Sequence, residues 1–189
     1  MNALKHTLPL FVLLASFWTA PSLAADVNAG EQKAGNCIGC HGPNGKSSSP
    51  QWPNLAAQQA DYIVNQLQAF KAGTRKNSLM ESTAGNMTDD DMKNLAAYFA
   101  SRPPVNSGGS DPELVKKGEA SAAMCLGCHG QGAEGNGQVA RLAGQHYAYL
   151  LKQLRNFKSG KRENGQMQAI TSGLTDSELN ALAAYFSSL

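Results

Sequence analysis

Cys37-Ile38-Gly39-Cys40-His41 decides the reading of this chain, because it is written again as Cys125-Leu126-Gly127-Cys128-His129. Two cysteines separated by two residues and followed at once by histidine form the attachment sequence for c-type haem. The spacing has a chemical cause. Each thiol can add to a vinyl group of one porphyrin, and the adjacent imidazole is then held over one face of the ring, within reach of the iron. The sequence has 4 cysteines, and all lie in the two motifs. Paired cysteines in an exported protein ordinarily suggest disulfides. Here the histidine after each pair favours thioethers. A zinc site would need a fourth ligand that neither motif supplies locally. The expected cofactors are two covalently bound c-type haems, one on Cys37, Cys40 and His41, the other on Cys125, Cys128 and His129.

Outward from the motifs, the chain is one unit in two copies. Cys37 and Cys125 are offset by 88 positions, and after a one-residue shortening the offset settles at 87. Leu55 then matches Leu142, Tyr62 matches Tyr149, Phe70-Lys71 matches Phe157-Lys158, and Arg75 matches Arg162. Leu95-Ala96-Ala97-Tyr98-Phe99 returns as Leu182-Ala183-Ala184-Tyr185-Phe186. Two copies make a duplicated domain and not a solenoid. Arg102-Pro103-Pro104 and Ser107-Gly108-Gly109-Ser110 mark the joint. The expected division is 1–24 signal peptide, 25–101 first domain, 102–110 linker and 111–189 second domain. Lys5, the apolar run from Leu8 to Trp18 and the small residues up to Ala24 carry the first of these. The expected address is therefore the bacterial periplasm.

Each copy predicts three helices and no strand. The first spans about 27–36 and 112–124 and leads into the haem motif. The second spans about 60–72 and 146–159. Tyr62, Ile63, Leu67 and Phe70 fall at helical spacing, as do Tyr149, Leu150, Leu154 and Phe157. The third opens on a capping box, Thr88 to Asp91 and Thr175 to Glu178, and ends near Ser101 and Ser188. The expected fold class is all-α: two tandem haem-binding domains related by internal duplication. A polypeptide unit of this size builds a thin core, so each haem should serve as core as well as cofactor, and the apo chain should fold poorly.

His41 and His129 are the expected proximal iron ligands. Outside the expected signal peptide the first half has no other histidine, so its sixth ligand comes from Met80, Met87 or Met92. The repeat decides. Met87 and Met92 align with Leu174 and Leu179, whereas Met80 aligns with Met167, the one methionine after the second motif. Met80 and Met167 are expected on loops that bend a thioether over the iron. Histidine–methionine ligation leaves no open position for oxygen or peroxide and raises the potential relative to two nitrogen ligands. Such a centre passes single electrons, and no enzyme activity is expected. The Pro50 carbonyl is a candidate acceptor for the His41 N–H; the second half has no proline in that region. Trp52, Arg75 and Arg162 are candidates for the haem propionates. His146 aligns with Gln59 and reads as a surface or cap position, and Met124 as packing beside the haem. Lys152, Arg155, Lys158, Lys161 and Arg162 make the second half locally basic. No basic arm points to nucleic acid.

The two motifs, the methionine ahead of a Thr-Asp-x-x segment, and the Leu-Ala-Ala-Tyr-Phe endings resemble the cytochrome c4 family. Leu142-Ala143-Gly144-Gln145-His146 and Gly160-Lys161-Arg162 add to the likeness. The resemblance covers the mature chain. It implies that the two tandem domains are class I cytochrome c domains about a pseudo-twofold axis, with haems facing each other. It also implies redox-protein partners: a quinol-oxidising complex as donor and a haem–copper oxidase as acceptor. Peripheral association with a membrane surface stays open, and a monomer is expected. Two other functions compete. One is a di-haem electron-accepting subunit of a flavocytochrome-type dehydrogenase. The other is a di-haem peroxidase, which would need a displaceable ligand at one iron.

Overall fold

The computed structural model describes residues 24–108 and 110–189. The expected signal peptide at 1–24 lies, apart from Ala24, outside the described residues, as does Gly109 of the expected linker. The first half consists of α1 (Val27–Ala34), α2 (Ile38–His41), α3 (Ala60–Lys71), α4 (Ser78–Gly85) and α5 (Asp89–Ala100). The second repeats it as α6 (Pro112–Ser121), α7 (Ala123–His129), α8 (Tyr147–Lys158), α9 (Gly165–Ser172) and α10 (Asp176–Ser188). Among the described residues there is no strand, only the isolated bridges Arg75–Arg162 and Asn136–Val139.

The helix starts are chemical. Asp26 accepts from the Asn28 and Ala29 amides, and Asp111 from those of Glu113 and Leu114. Each satisfies backbone N–H groups that the first turn leaves unpaired. Thr88 with Asp91 and Thr175 with Glu178 form full capping boxes. Lys33 of α1 bridges to Asp91 at 2.5 Å.

The dominant packing in each half is the first helix against the last, α1 on α5 and α6 on α10. The long middle helix, α3 or α8, closes the third side. Met92, Leu95 and Phe99 meet Ile63, Leu67 and Phe70 in the first core. Leu182 and Phe186 meet Leu150 in the second. Each such side chain contributes about 1.5–3 kcal/mol by leaving water.

Two details differ from the sequence reading. The helix expected over 112–124 is broken at Ala122 into α6 and α7. Met80 and Met167 stand on short helices, not loops. The chain there runs Asn77-Ser78-Leu79-Met80-Glu81 and Asn164-Gly165-Gln166-Met167-Gln168. Asn77 and Asn164 cap α4 and α9 by accepting from the Met80 and Met167 amides at 3.0 and 2.9 Å. An eight-residue helix shows too few turns for its apolar period to stand out.

Candidate haem sites

Each motif starts where its leading helix ends. The Cys37 amide donates to the Ala34 carbonyl, and the Cys125 amide to that of Ala122. The next turn carries the second cysteine and the histidine. No disulfide joins any of the four cysteines. Burial, with Cys40 adding to it, pushes the Cys37 thiol up, and burial does the same to Cys125.

His41 and His129 are buried, at 7% and 8% exposure. His41 Nδ1 lies 2.9 Å from the Pro53 carbonyl, and His129 Nδ1 lies 2.7 Å from that of Ala140. A carbonyl only accepts, so Nδ1 carries the proton and Nε2 keeps its lone pair. Burial lowers both imidazole pKa values, with the backbone bond opposing it, so the neutral ring is favoured. The acceptor is thus Pro53 and not Pro50. Pro53 and Ala140 are aligned at the offset of 87, so the two halves share one device. Only the carbonyl takes part, and the proline ring is dispensable.

A single cavity of about 660 Å³ runs between the two halves. Cys37, His41 and Met80 line it from one side, and Cys125, Cys128, His129 and Met167 from the other. Cys40 is half-buried and is not among the lining residues. Ile63, Leu67 and Phe70 form apolar wall, matched by Leu150, Leu154 and Phe157. Trp52 and Met124 also line the cavity, although Met124 is 59% exposed. Among the described residues, no three His, Cys, Asp or Glu side chains converge as a metal cage.

Between the two donor sets lies a polar cluster with twofold character. Arg75 donates to Gln66 of its own half at 2.7 Å and to Tyr149 and Gln153 of the other at 3.0 and 3.1 Å. Arg162 donates to Gln153 at 2.8 Å and across to Tyr62 and Gln66 at 2.8 Å each. Each guanidinium also stacks over a ring, Arg75 on Phe70 at 4.6 Å and Arg162 on Phe157 at 4.5 Å. Burial pushes the Tyr62 hydroxyl up, but the two guanidiniums outweigh it and hold its pKa below the usual range. Arg162 is therefore buried, at 8% exposure, and is no part of an exposed basic face. Among the described residues, no carboxylate pairs with either arginine. Buried cations without a counter-charge are costly. The cluster therefore fits a group that brings anions into the cavity, as a haem brings its propionates. Thiols, an imidazole with a free Nε2, a thioether and apolar walls complete the fit.

Sequence reading missed the contacts between the halves. His146 caps α8, but its Nε2 also lies 3.1 Å from the Ser47 carbonyl of the first half. Its counterpart Gln59 donates to the Glu134 carbonyl at 2.8 Å. Gln58 and Gln145 each grip backbone of the opposite half. The signal was the repeat itself: Gln58 and Gln145 align as unchanged polar residues with no assigned role.

Two donor sets of this kind in tandem helical domains define a di-haem c-type cytochrome. The cytochrome c family model matches residues 27–103 and 115–189. Cytochrome c4 of Azotobacter vinelandii is 38% identical, over 88% of this chain and 90% of that protein. The crystal structure of reduced recombinant cytochrome c4 from Pseudomonas stutzeri superposes with TM-score 0.80 at 35% identity, covering 88% of this chain and 100% of the other. A thiosulfate dehydrogenase electron acceptor of Thiomonas intermedia (strain K12) is 31% identical, over 96% of this chain and 90% of that protein. The chain belongs to the cytochrome c4 family: it is an electron-transfer protein with two covalently bound c-type haems.

Proposed function

We propose that this chain is a periplasmic carrier that takes electrons singly from a quinol-oxidising complex and passes them towards a haem–copper terminal oxidase. Bound haem iron supplies the one-electron change. The chain's own residues do the rest. Cys37, Cys40, Cys125 and Cys128 fix the rings. His41 and His129 present Nε2, oriented by the Pro53 and Ala140 carbonyls. Met80 and Met167, at capped helix starts on the cavity wall, would supply a thioether ligand to each iron. Arg75 and Arg162, which line the cavity, would offset the charge of the propionates. An iron so held would exchange electrons and leave no position for a substrate, as befits a carrier.

The observation that carries this reading is the shared cavity. Both donor sets open into one space, so two electrons held there can equilibrate inside the molecule. The partner face is marked by charge. Lys152 and Lys161 line both the cavity and an outer groove with Arg155 and Lys158. The aligned positions in the first half, Asn65 and Thr74, are neutral. An acidic redox partner therefore meets the second domain.

The second reading, an electron acceptor for a dehydrogenase, gains support from the Thiomonas relative, whose name assigns it that role towards thiosulfate dehydrogenase. Stopped-flow spectrophotometry separates the two. Rapid reduction by quinol with the quinol-oxidising complex, and rapid reoxidation by oxidase-containing membranes, supports the carrier. Rapid reduction only by thiosulfate with thiosulfate dehydrogenase supports the alternative.

A further inference from the structure

The peptide bonds that hold the two proximal histidines are themselves held from the opposite half. The Pro53–Asn54 peptide accepts from His41 Nδ1 through its carbonyl at 2.9 Å. Its N–H, on Asn54, donates to Gln145 Oε1 at 2.8 Å. The Ala140–Arg141 peptide accepts from His129 Nδ1 at 2.7 Å, and its N–H donates to Gln58 Oε1 at 2.7 Å. Each glutamine is locked in place by a return bond. Gln145 Nε2 donates to the Asn54 carbonyl at 2.9 Å, and Gln58 Nε2 to the Arg141 carbonyl at 3.0 Å. Both glutamines are buried, at 6% exposure. Each Oε1 also receives the next backbone N–H, that of Gln59 or His146.

We propose that Gln58 and Gln145 are positioning residues that tune the haem of the opposite domain: Gln145 the first haem, Gln58 the second. This rests on the reading of His41 and His129 as iron ligands. A peptide whose N–H donates a hydrogen bond is more polarised, and its carbonyl becomes the better acceptor. A stronger bond from Nδ1–H gives the imidazole more anionic character. That imidazole donates more to iron and favours the ferric state. Gln145 therefore lowers the potential of the haem on Cys37 and Cys40, and Gln58 lowers that of the haem on Cys125 and Cys128. A change in domain packing reaches both irons through the same pair of peptides.

The test uses the holoprotein with Gln145→Met and Gln58→Met, near-isosteric side chains that withdraw both contacts. The readouts are haem-resolved redox titration by NMR and the Nδ1–H shift of each proximal histidine in the reduced protein. In Q145M the first haem becomes easier to reduce by about threefold in its equilibrium constant, about 28 mV at 59 mV per tenfold. The His41 Nδ1–H resonance moves upfield, and the second haem stays put. Q58M gives the mirror result. A merely structural role would move both haems together or the haem of the mutated domain. Either result overturns the proposal, as does no change at all. If a Met variant fails to hold its haems, Gln145→Asn and Gln58→Asn, which shorten the reach and keep the polarity, are scored by the same criteria. A pyridine haemochrome count and the Met–iron spectrum on the same samples report separately on whether the iron ligands are as read.

Discussion

Gly30 lies directly against Asn94, and a Cβ on Gly30 would stand 2.0 Å from the Asn94 carbonyl oxygen. The second half repeats the contact: a Cβ on Gly118 would stand 2.1 Å from the Ala181 carbonyl oxygen. These are backbone atoms of α5 and α10, which cannot turn aside as a side chain can. The crossing of first and last helix in each domain therefore requires glycine. G30A and G118A should each cost more than the roughly 1–3 kcal/mol of ordinary overpacking. Thermal unfolding of the holoprotein should show loss confined to the mutated domain. A melting temperature within a degree or so of the parent would contradict the helix crossing described here.

Arg162→Met removes one of the two cations lining the cavity between the halves and takes away the Arg162 hydrogen bond to Tyr62, while Gln66 keeps its bond from Arg75. A cation near iron stabilises the ferrous state, so its loss should lower the potential. The expected effect is on the order of 1 kcal/mol, felt at both haems because the cluster lies between them. Potentiometric titration checks this. Unchanged or raised potentials would remove the cluster from the redox account.

The acid limb of stability should depend on the capping boxes. Lys33, with the Thr88 amide, holds the Asp91 carboxyl below the usual carboxylate range, and the Thr175 amide does the same for Glu178. A carboxylate with a lowered folded pKa contributes stability above its unfolded pKa. That contribution is lost as pH falls through the folded value. T88A and T175A should each cost about 1 kcal/mol at neutral pH. Most of that deficit should persist in acid, because the lost Oγ accepts from the Asp91 and Glu178 amides. The acid-sensitive part belongs to Asp91→Asn and Glu178→Gln, whose deficit should shrink as the parent's carboxylates protonate. Chemical denaturation at neutral and acid pH is the check.

Electron exchange with an acidic partner should slow with added salt, and K152E/K161E should slow it further. Stopped-flow rates against ionic strength measure both. N65E/T74E, at the aligned positions of the first domain, should matter less. Equal losses from the two pairs would remove the second domain as the preferred face.

How much of this was legible beforehand follows from the range of each interaction. The haem motifs, the repeat, and the caps at Thr88 and Thr175 act over a few residues, and their side chains spell the chemistry. The offset between copies selected Met80 and Met167; both line the cavity, and so does Met87. The helices beneath them went unread because α4 and α9 are eight residues each, although Asn77 and Asn164 with Glu81 and Gln168 are cap signals. Pro53 was missed in favour of Pro50 because the acceptor is a backbone carbonyl, which every residue in the loop offers. The arginine–tyrosine cluster and the glutamine grips join residues 74 to 100 positions apart. Only the docking of one half on the other brings them together.

The most direct test of the central claim is the visible and near-infrared spectrum of the purified protein in both redox states. It should be taken with a pyridine haemochrome count and with Met80→Ala and Met167→Ala alongside. The account predicts two covalent haems per chain, a sulfur–iron band that each variant halves, and carbon monoxide binding only in the variants. A chain without covalent haem, or variants whose spectra match the parent, would contradict it.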